Sequence, residues 1–327
     1  MTRGNSDRNV KSTTRVVALS GGIGGAKLAL GLSRIVPAGE LMVIVNTGDD
    51  FEHLGLAVSP DLDTVMYTLA GLDDGERGWG RRDETWSFMT AIAALGGETW
   101  FKLGDADLAT HVERTRRLHA GESLSSITQD FCRRLGVTAL ILPMSDDPVR
   151  ARLRTQEGVI DFQDYFVRRG CAPAILDVSY AGASSAHALP EALAALRDPR
   201  LRAVVICPSN PMISIEPILA VSGMREAIAG CPAPVIAVSP IIGGRAVKGP
   251  TAKMLAELGF PVSALTVARR YSDLIDGYII DAVDAADARL FDIPVTVAKT
   301  LMSTLADREA LAREVLAWAD ALAEAVA

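Results

Sequence analysis

From Arg15 onward, short β-branched runs alternate with longer amphipathic stretches, and this alternation limits the possible folds more than any other feature. RVVALS is followed by the helical stretch AKLALGLSRI, then by LMVIVNT and a helical pattern from about Asp63. The rhythm resumes with RAVVICPSNP, a helical stretch near Ile218 to Ala229, APVIAVSP, another near Thr251 to Leu258, and GYII. Strands and helices in this order are the mark of parallel βαβ units. The expected fold is α/β and Rossmann-like, a mainly parallel sheet with flanking helices, drawing strands from both ends of the chain. With 49% hydrophobic residues over 327, the chain has enough apolar material for a core of that size.

Residues 15–327 are expected to form one α/β domain behind a flexible tail, residues 1–14, which is polar and without periodicity. A helix-rich insertion is expected at about 84–135, where ETWSFMTAIAAL, DLATHVERTRRLHA and SITQDFCRRL carry helical spacing. In RARLRTQEGVIDFQDYF, Glu157 and Gly158 separate two alternating runs, which predicts a hairpin and a small lobe at about 149–170. The last segment, DREALAREVLAWADALAEAVA, reads as a surface helix.

The 40 acidic residues outnumber the 33 Lys and Arg, which argues against nucleic acid as a partner. Residues 16–32 are apolar but contain five glycines and Lys27, and no run approaches the ~20 apolar residues of a membrane span. The expectation is a cytoplasmic protein without membrane association. Cys132, Cys171, Cys207 and Cys231 form no CxxC pair, so they read as reduced, structural thiols.

The first strand runs into SGGIGGAK, residues 20–27. Glycines at the mouth of a helix let backbone N–H groups approach a phosphate. A G-x-G-x-x-G pattern begun at Gly22 meets Lys27 in its last position, and a P-loop begun at Gly21 has Ala26 and Leu28 where Gly and Ser or Thr belong. Two readings stand: a phosphate site, or a tight turn needed for strand-to-helix packing. Lys27 favours the first, since a lysine early in a helix opposes the helix dipole unless an anion is near.

The second strand leads into NTGDDFEHLGLAVSPDLDTVMY, with Asp49, Asp50, Asp61 and Asp63 inside fifteen residues. Carboxylates at strand ends beside a phosphate loop suit magnesium; Asp is also common in turns and at helix starts. FKLGDADLATH adds Lys102, Asp105, Asp107, Thr110 and His111, where Asp105 is expected to cap the helix that follows. Two later strand ends, CPSNP and VSPIIGG, place Ser209, Asn210 and Ser239 at the same edge of the sheet. Trp79, Trp86 and Phe88 are candidates for a flat apolar wall, or for core packing.

Taken in order, SGGIGGAK, VNTGDD, SPDLDTVMY, RGWGRRDETW, KLGDADLATH, LPMSDDPV, DFQDYFV, PSNPMISIEPIL and SPIIGG resemble the 2-phospho-L-lactate transferase family of coenzyme F(420) biosynthesis, including its phosphoenolpyruvate-using branch. The resemblance implies a magnesium-dependent homodimer. Its donor is a guanosine diphosphate ester of a small phospho-acid, its acceptor the deazaflavin Fo, and its products a phosphodiester and GMP. It also implies that Gly21, Gly22, Gly24, Gly25 and Lys27, with Ser209, Asn210 and Ser239, hold the nucleotide. By the same resemblance Asp63 and Lys102 are expected at the deazaflavin and reaction centre, and Asp49, Asp50 and Asp61 are candidates for the metal shell; Asp63 and Lys27 are the candidate catalytic groups, and Trp86 a candidate wall for the deazaflavin ring. The three-carbon acid is left open between phospholactyl, phosphoenolpyruvyl and phosphoglyceryl. The alternative from another class is a non-catalytic regulatory protein that binds nucleotide-sugars on a similar fold.

Overall fold

The computed structural model describes residues 14–326; the expected tail therefore lies outside the described residues except for Thr14, which is buried. Strand β1 (Val16–Ser20) leads through α1 (Gly22–Ile35) to β2 (Leu41–Val45). Every residue of both strands is buried. A parallel sheet covered on both faces needs such continuous apolar runs. A hairpin, β3 (Phe51–His53) and β4 (Leu56–Val58), then enters α2 (Pro60–Ala70). This helix begins three residues earlier than its periodicity predicts, because Pro60 supplies a preset φ at the first position.

Three helices follow, α3 (Ser87–Ala94), α4 (Asp105–His119) and α5 (Leu124–Arg134), before β5 (Leu140–Pro143). Strands β6 (Arg150–Thr155), β7 (Gly158–Asp161) and β8 (Ile175–Ala181) make a separate antiparallel sheet in the order β7-β6-β8. The hairpin thus gains a third strand that the sequence reading lacked.

The chain returns through α6 (Pro190–Leu196), β9 (Ala203–Ile206), α7 (Glu216–Ala220), α8 (Met224–Ala229) and β10 (Val235–Val238). The stretch expected as one helix near Ile218 to Ala229 is broken at Gly223, whose φ of 81° lies in the left-handed region. A short hairpin, β11 (Ile241–Ile242) and β12 (Arg245–Ala246), precedes α9 (Thr251–Glu257) and α10 (Ala264–Arg270). Strands β13 (Gly277–Asp281) and β14 (Val295–Ala298) and the long α11 (Leu305–Val326) complete the chain.

The central sheet has seven parallel strands in the order β14-β13-β10-β9-β1-β2-β5. Val16 is in register with Leu41 on one side and Ala203 on the other. The chain therefore winds one way from β1 through β2 to β5 and the other way from β9 to β14. The reversal falls between β1 and β9, and such switch points open a crevice at the carboxyl ends of the strands.

One face of the sheet packs with α1, α2 and α11 around Val16, Ala18, Leu28, Val43 and Leu311. The other buries Leu19, Ile44, Ile206 and Met212 with residues of the later helices. Gly31 allows α11 to lie close on α1, since a Cβ there would fall 2.1 Å from the Arg308 carbonyl oxygen.

Candidate functional site

The carboxyl ends of β1, β2 and β9 bring together the glycine turn, the aspartate loop and the segment after Ile206. Gly21 caps α1 in an extended conformation, and its N–H donates to Ser209 Oγ at 3.3 Å. Gly22 has φ +63°, a region that costs any other residue strain. Added Cβ atoms would fall 2.5 Å from Asp61 Oδ2 at Gly21, 2.3 Å from the Pro208 carbonyl oxygen at Gly24, and 2.5 Å from the Ser20 and Ser209 hydroxyls at Gly25. Gly24 and Gly25 are therefore required by packing of α1 against the loop after β9. Gly22 keeps open space, with Asp61 Oδ1 the nearest neighbour at 3.6 Å.

Asn46, directly after β2, organises the aspartates. Its side-chain amide donates to Asp49 Oδ1 at 3.1 Å and Asp61 Oδ2 at 2.8 Å, and its carbonyl accepts from the Gly48 N–H at 2.8 Å. Gln163, from the small lobe, donates to the other oxygen of Asp49 at 3.0 Å. Asp50 accepts from Ser59 Oγ at 2.7 Å, while its Oδ1 is buried without a hydrogen-bond partner among the described residues.

All three carboxylates are buried. Desolvation pushes Asp50 up to about 7 and Asp61 to about 6. Asp49 is held well above the ordinary range by burial first and by the charges of Asp61 and Asp50 next. Burial, and for Asp49 the neighbouring carboxylates as well, make these groups hold protons more tightly, and a cation beside them relieves that penalty.

Among the described residues, no group of three or more His, Cys, Asp or Glu side chains is gathered closely enough to hold a metal ion. The expected three-aspartate shell is therefore not preassembled. Asp49 and Asp61 share the Asn46 amide, whereas Asp50 is turned to Ser59. The Asp49 and Asp61 pair still fits magnesium, which commonly binds through one or two carboxylates and completes its shell with water and substrate phosphates.

Asp63, two residues beyond Asp61, is locked elsewhere. Both of its oxygens are taken by the Arg114 guanidinium from α4, Oδ2 at 3.0 Å from NH1 and Oδ1 by NH2. Arg114 is 1% exposed. His111 Nδ1 lies 3.7 Å from Asp63 and its Nε2 3.3 Å from Asp107, while Tyr67 donates to Asp107 at 2.8 Å. Arg114 was missed in the sequence, yet Asp107, His111 and Arg114 stand at i, i+4 and i+7, one face of a helix.

Asp105 does not cap the helix that follows. It accepts from the N–H groups of Ser87 and Phe88, both at 3.0 Å, and so caps α3. Glu84 in turn accepts from the N–H groups of Ala106 and Asp107, both at 2.8 Å, and caps α4. The two helix starts thus exchange carboxylates.

Lys27 donates to the Met302 carbonyl at 3.0 Å; burial lowers its proton affinity, and the next largest influences are Arg308 and Lys248. Asn210 uses its side-chain oxygen to cap the π-helical turn Pro211–Ile215, accepting from Met212 at 3.0 Å and Ile213 at 3.3 Å. Ser239 closes a turn on Ile241. Lys102 is exposed. Trp86 and Trp79 meet edge to face at 6.4 Å with the Arg77 guanidinium over both rings.

A second aromatic group stands beside Asp50, in which Phe51 packs on Phe101 at 4.8 Å and on Trp100 at 5.8 Å. Asp50, Phe51, Ser59 and Arg150 line a cleft of about 140 Å³.

An open parallel sheet, a glycine turn and buried carboxylates at its switch point define an α/β protein of the Rossmann-like, ligand-binding class. Sequence comparison resolves the class further. The profile of the 2-phospho-L-lactate transferase CofD family matches residues 16–317, and the chain belongs to that family of transferases.

It is 44% identical over 319 residues to a phosphoenolpyruvate transferase from Kitasatospora aureofaciens, covering 95% of this chain and 98% of that protein. It is 38% identical over 304 residues to a 2-phospho-L-lactate transferase from Methanosarcina mazei, covering 92% and 99%. A UPF0052-family crystal structure from Bacillus halodurans shares the fold at TM-score 0.61 and 14% identity, covering 93% of this chain and 98% of that one. Among the described residues, no helix is long and apolar enough to cross a membrane.

Proposed function

We propose that the chain transfers a phospho-three-carbon-acid group from its guanosine diphosphate ester to the hydroxyl of the deazaflavin Fo, giving an F(420)-0 type product and GMP. The observation that carries this reading is the pairing of family membership across residues 16–317 with a carboxylate pair, Asp49 and Asp61, held at the switch point by one Asn46 amide. The phosphoenolpyruvyl group is favoured, because relatives named phosphoenolpyruvate transferase are 41–44% identical and those named 2-phospho-L-lactate transferase 37–39%.

In this reading the Fo hydroxyl oxygen forms a bond to the phosphorus bearing the acid. The bond from that phosphorus to the bridging oxygen breaks, and GMP leaves with the electron pair. Asp49 and Asp61 hold magnesium, which when bound neutralises charge on the phosphate oxygens. The Gly22 turn lets the diphosphate approach the start of α1.

Asp50, which lines the cleft and whose Oδ1 has no hydrogen-bond partner among the described residues, accepts the hydroxyl proton. Asp63, its oxygens both occupied by Arg114, fixes α2 against α4. Phe51 and Trp100 offer the deazaflavin ring an apolar surface. The protein works as a cytoplasmic homodimer.

Mass spectrometry of products from Fo with the guanosine diphosphate esters of the three acids tests the proposal, with magnesium and after chelation. GMP and a phosphodiester in magnesium alone are expected. Absence of product with every donor, together with tight binding of a nucleotide-sugar, would replace the transferase reading with the regulatory one.

A further inference from the structure

One cluster of positive charge has too little negative charge around it. Lys27 and Arg308 line a small cavity of about 20 Å³ between α1, α2 and the loop at Gly78. Lys248 reaches the same loop, its Nζ standing 2.4 Å from where a Gly78 Cβ would lie. Asp73 is the one acidic residue among those lining the cavity. Among the described residues no carboxylate pairs with Arg308 or Lys248, and Arg308 Nε is buried without a hydrogen-bond partner.

Gathering three cations around one carboxylate is repulsive, the more so where burial excludes water. Lys27 shows it: burial first, then Arg308 and Lys248, lower its proton affinity. A bound anion removes that cost. The arrangement is also fixed by the fold, since the close approach of α11 at Gly31 holds the Arg308 backbone against α1. Thr64 and Thr68 add hydroxyls to the lining, and Gly78 and Gly80, both at positive φ, bring backbone without side chains to it on either side of Trp79.

The position connects the cavity to the crevice. Ile23 and Thr64 line it, and they lie on α1 and α2 close to Gly22 and Asp61. We propose that Lys27, Lys248 and Arg308 form a second, oxyanion-binding subsite, separate from the aspartate pair, that takes a carboxylate or phosphate group of the donor. This rests on the transferase reading above for the donor's identity, but not for the chemistry of the subsite. Room for about one water-sized group in the cavity matches one oxygen of such a group at a time, and the exposed Lys248 stands at the Gly78 loop that lines it.

Calorimetry on the full chain with pyrophosphate, GDP and phosphoenolpyruvate as separate probes tests the subsite in Lys248→Ala and Arg308→Gln, with melting curves to confirm folding. At least one probe is expected to bind each variant about fivefold more weakly, the scale of one partly exposed charge-assisted hydrogen bond. Parallel losses for GDP and pyrophosphate identify the diphosphate as the bound group; a loss for phosphoenolpyruvate alone identifies the acid.

Unchanged affinity for all three probes in both folded variants overturns the subsite, as does failure of every probe to bind the unaltered chain. Two of the probes carry no guanosine, so the subsite can pass while the guanosine donor fails. GDP binding that both variants retain, with pyrophosphate and phosphoenolpyruvate binding also unchanged, sinks the subsite and leaves the donor standing.

Discussion

The side-chain amide of Asn46 donates to Asp61 across 2.8 Å, tying the end of β2 to the first turn of α2 over the glycine turn. The same nitrogen serves Asp49 at 3.1 Å. Asn46→Ala leaves two buried carboxylates short of a donor, and we expect a loss of about 1–3 kcal/mol in the metal-free protein. Saturating magnesium should shrink that loss, because the cation takes over the donor's role. Urea titrations with and without magnesium check both; equal stability of variant and parent in both buffers would refute the tie.

Gly22 and Gly24 separate ligand approach from packing. A side chain at Gly24 drives into the Pro208 carbonyl at 2.3 Å, so Gly24→Val is expected to lower the melting temperature and is a poor test of nucleotide binding. Gly22→Ala has space but a strained φ of +63°. It should cost about 1 kcal/mol and weaken GDP binding by about tenfold through the lost backbone approach. GDP affinity unchanged in folded Gly22→Ala would remove the turn from the site.

The Asp63 and Arg114 pair is buried, and breaking one partner of such a pair costs about 3–5 kcal/mol. Asp63→Asn should therefore melt well below the parent. Asp63→Asn with Arg114→Leu removes the unpaired charge and should recover most of that stability. If turnover in the folded fraction recovers as well, Asp63 is a positioning residue. If turnover stays about a hundredfold down with stability restored, Asp63 is the base and the assignment to Asp50 fails.

The aspartate cluster sets a pH dependence whose sign is fixed. Folding raises Asp50 to about 7 and Asp61 to about 6, with Asp49 also raised, against about 3.9 in an unfolded chain. The folded state thus binds more protons, so this contribution is complete below about pH 4 and is lost as pH rises through about 6 to 7. Carboxylates lowered by partners, such as Asp130 and Asp198, each near 2, act below that window, and the buried His53, lowered by desolvation, opposes the trend only up to its ordinary range.

The metal-free protein should melt at higher temperature near pH 5 than near pH 8, and magnesium should stabilise it more at the higher pH. Asp50→Asn should flatten the slope. A melting temperature that climbs steadily from pH 5 to pH 8 without metal would contradict the cluster's electrostatics.

The sheet was legible in the sequence because a strand buried on both faces must be almost wholly apolar, and VVAL, LMVIV and AVVI are. The glycine turn and the aspartates were legible for a related reason: strand ends of an open α/β sheet are where its ligand groups stand. β8 was harder to read, since only pairing with β6 distinguishes it from a loop. The break at Gly223 was hidden because helical spacing continues on both sides of it.

What the sequence alone determined was the set of groups at the switch point, since local periodicity and chain order are written residue by residue. Tertiary structure decided which groups meet. Asn46 links Asp49 to Asp61, Arg114 from 51 residues away takes Asp63, and Lys27 turns toward Arg308 on the last helix. Such juxtapositions depend on how helices pack across the sheet, which sets the distances between groups far apart in sequence. Motif order names the carboxylates; the packing of α4 on α2 and α11 on α1 decides which of them are free to face a ligand.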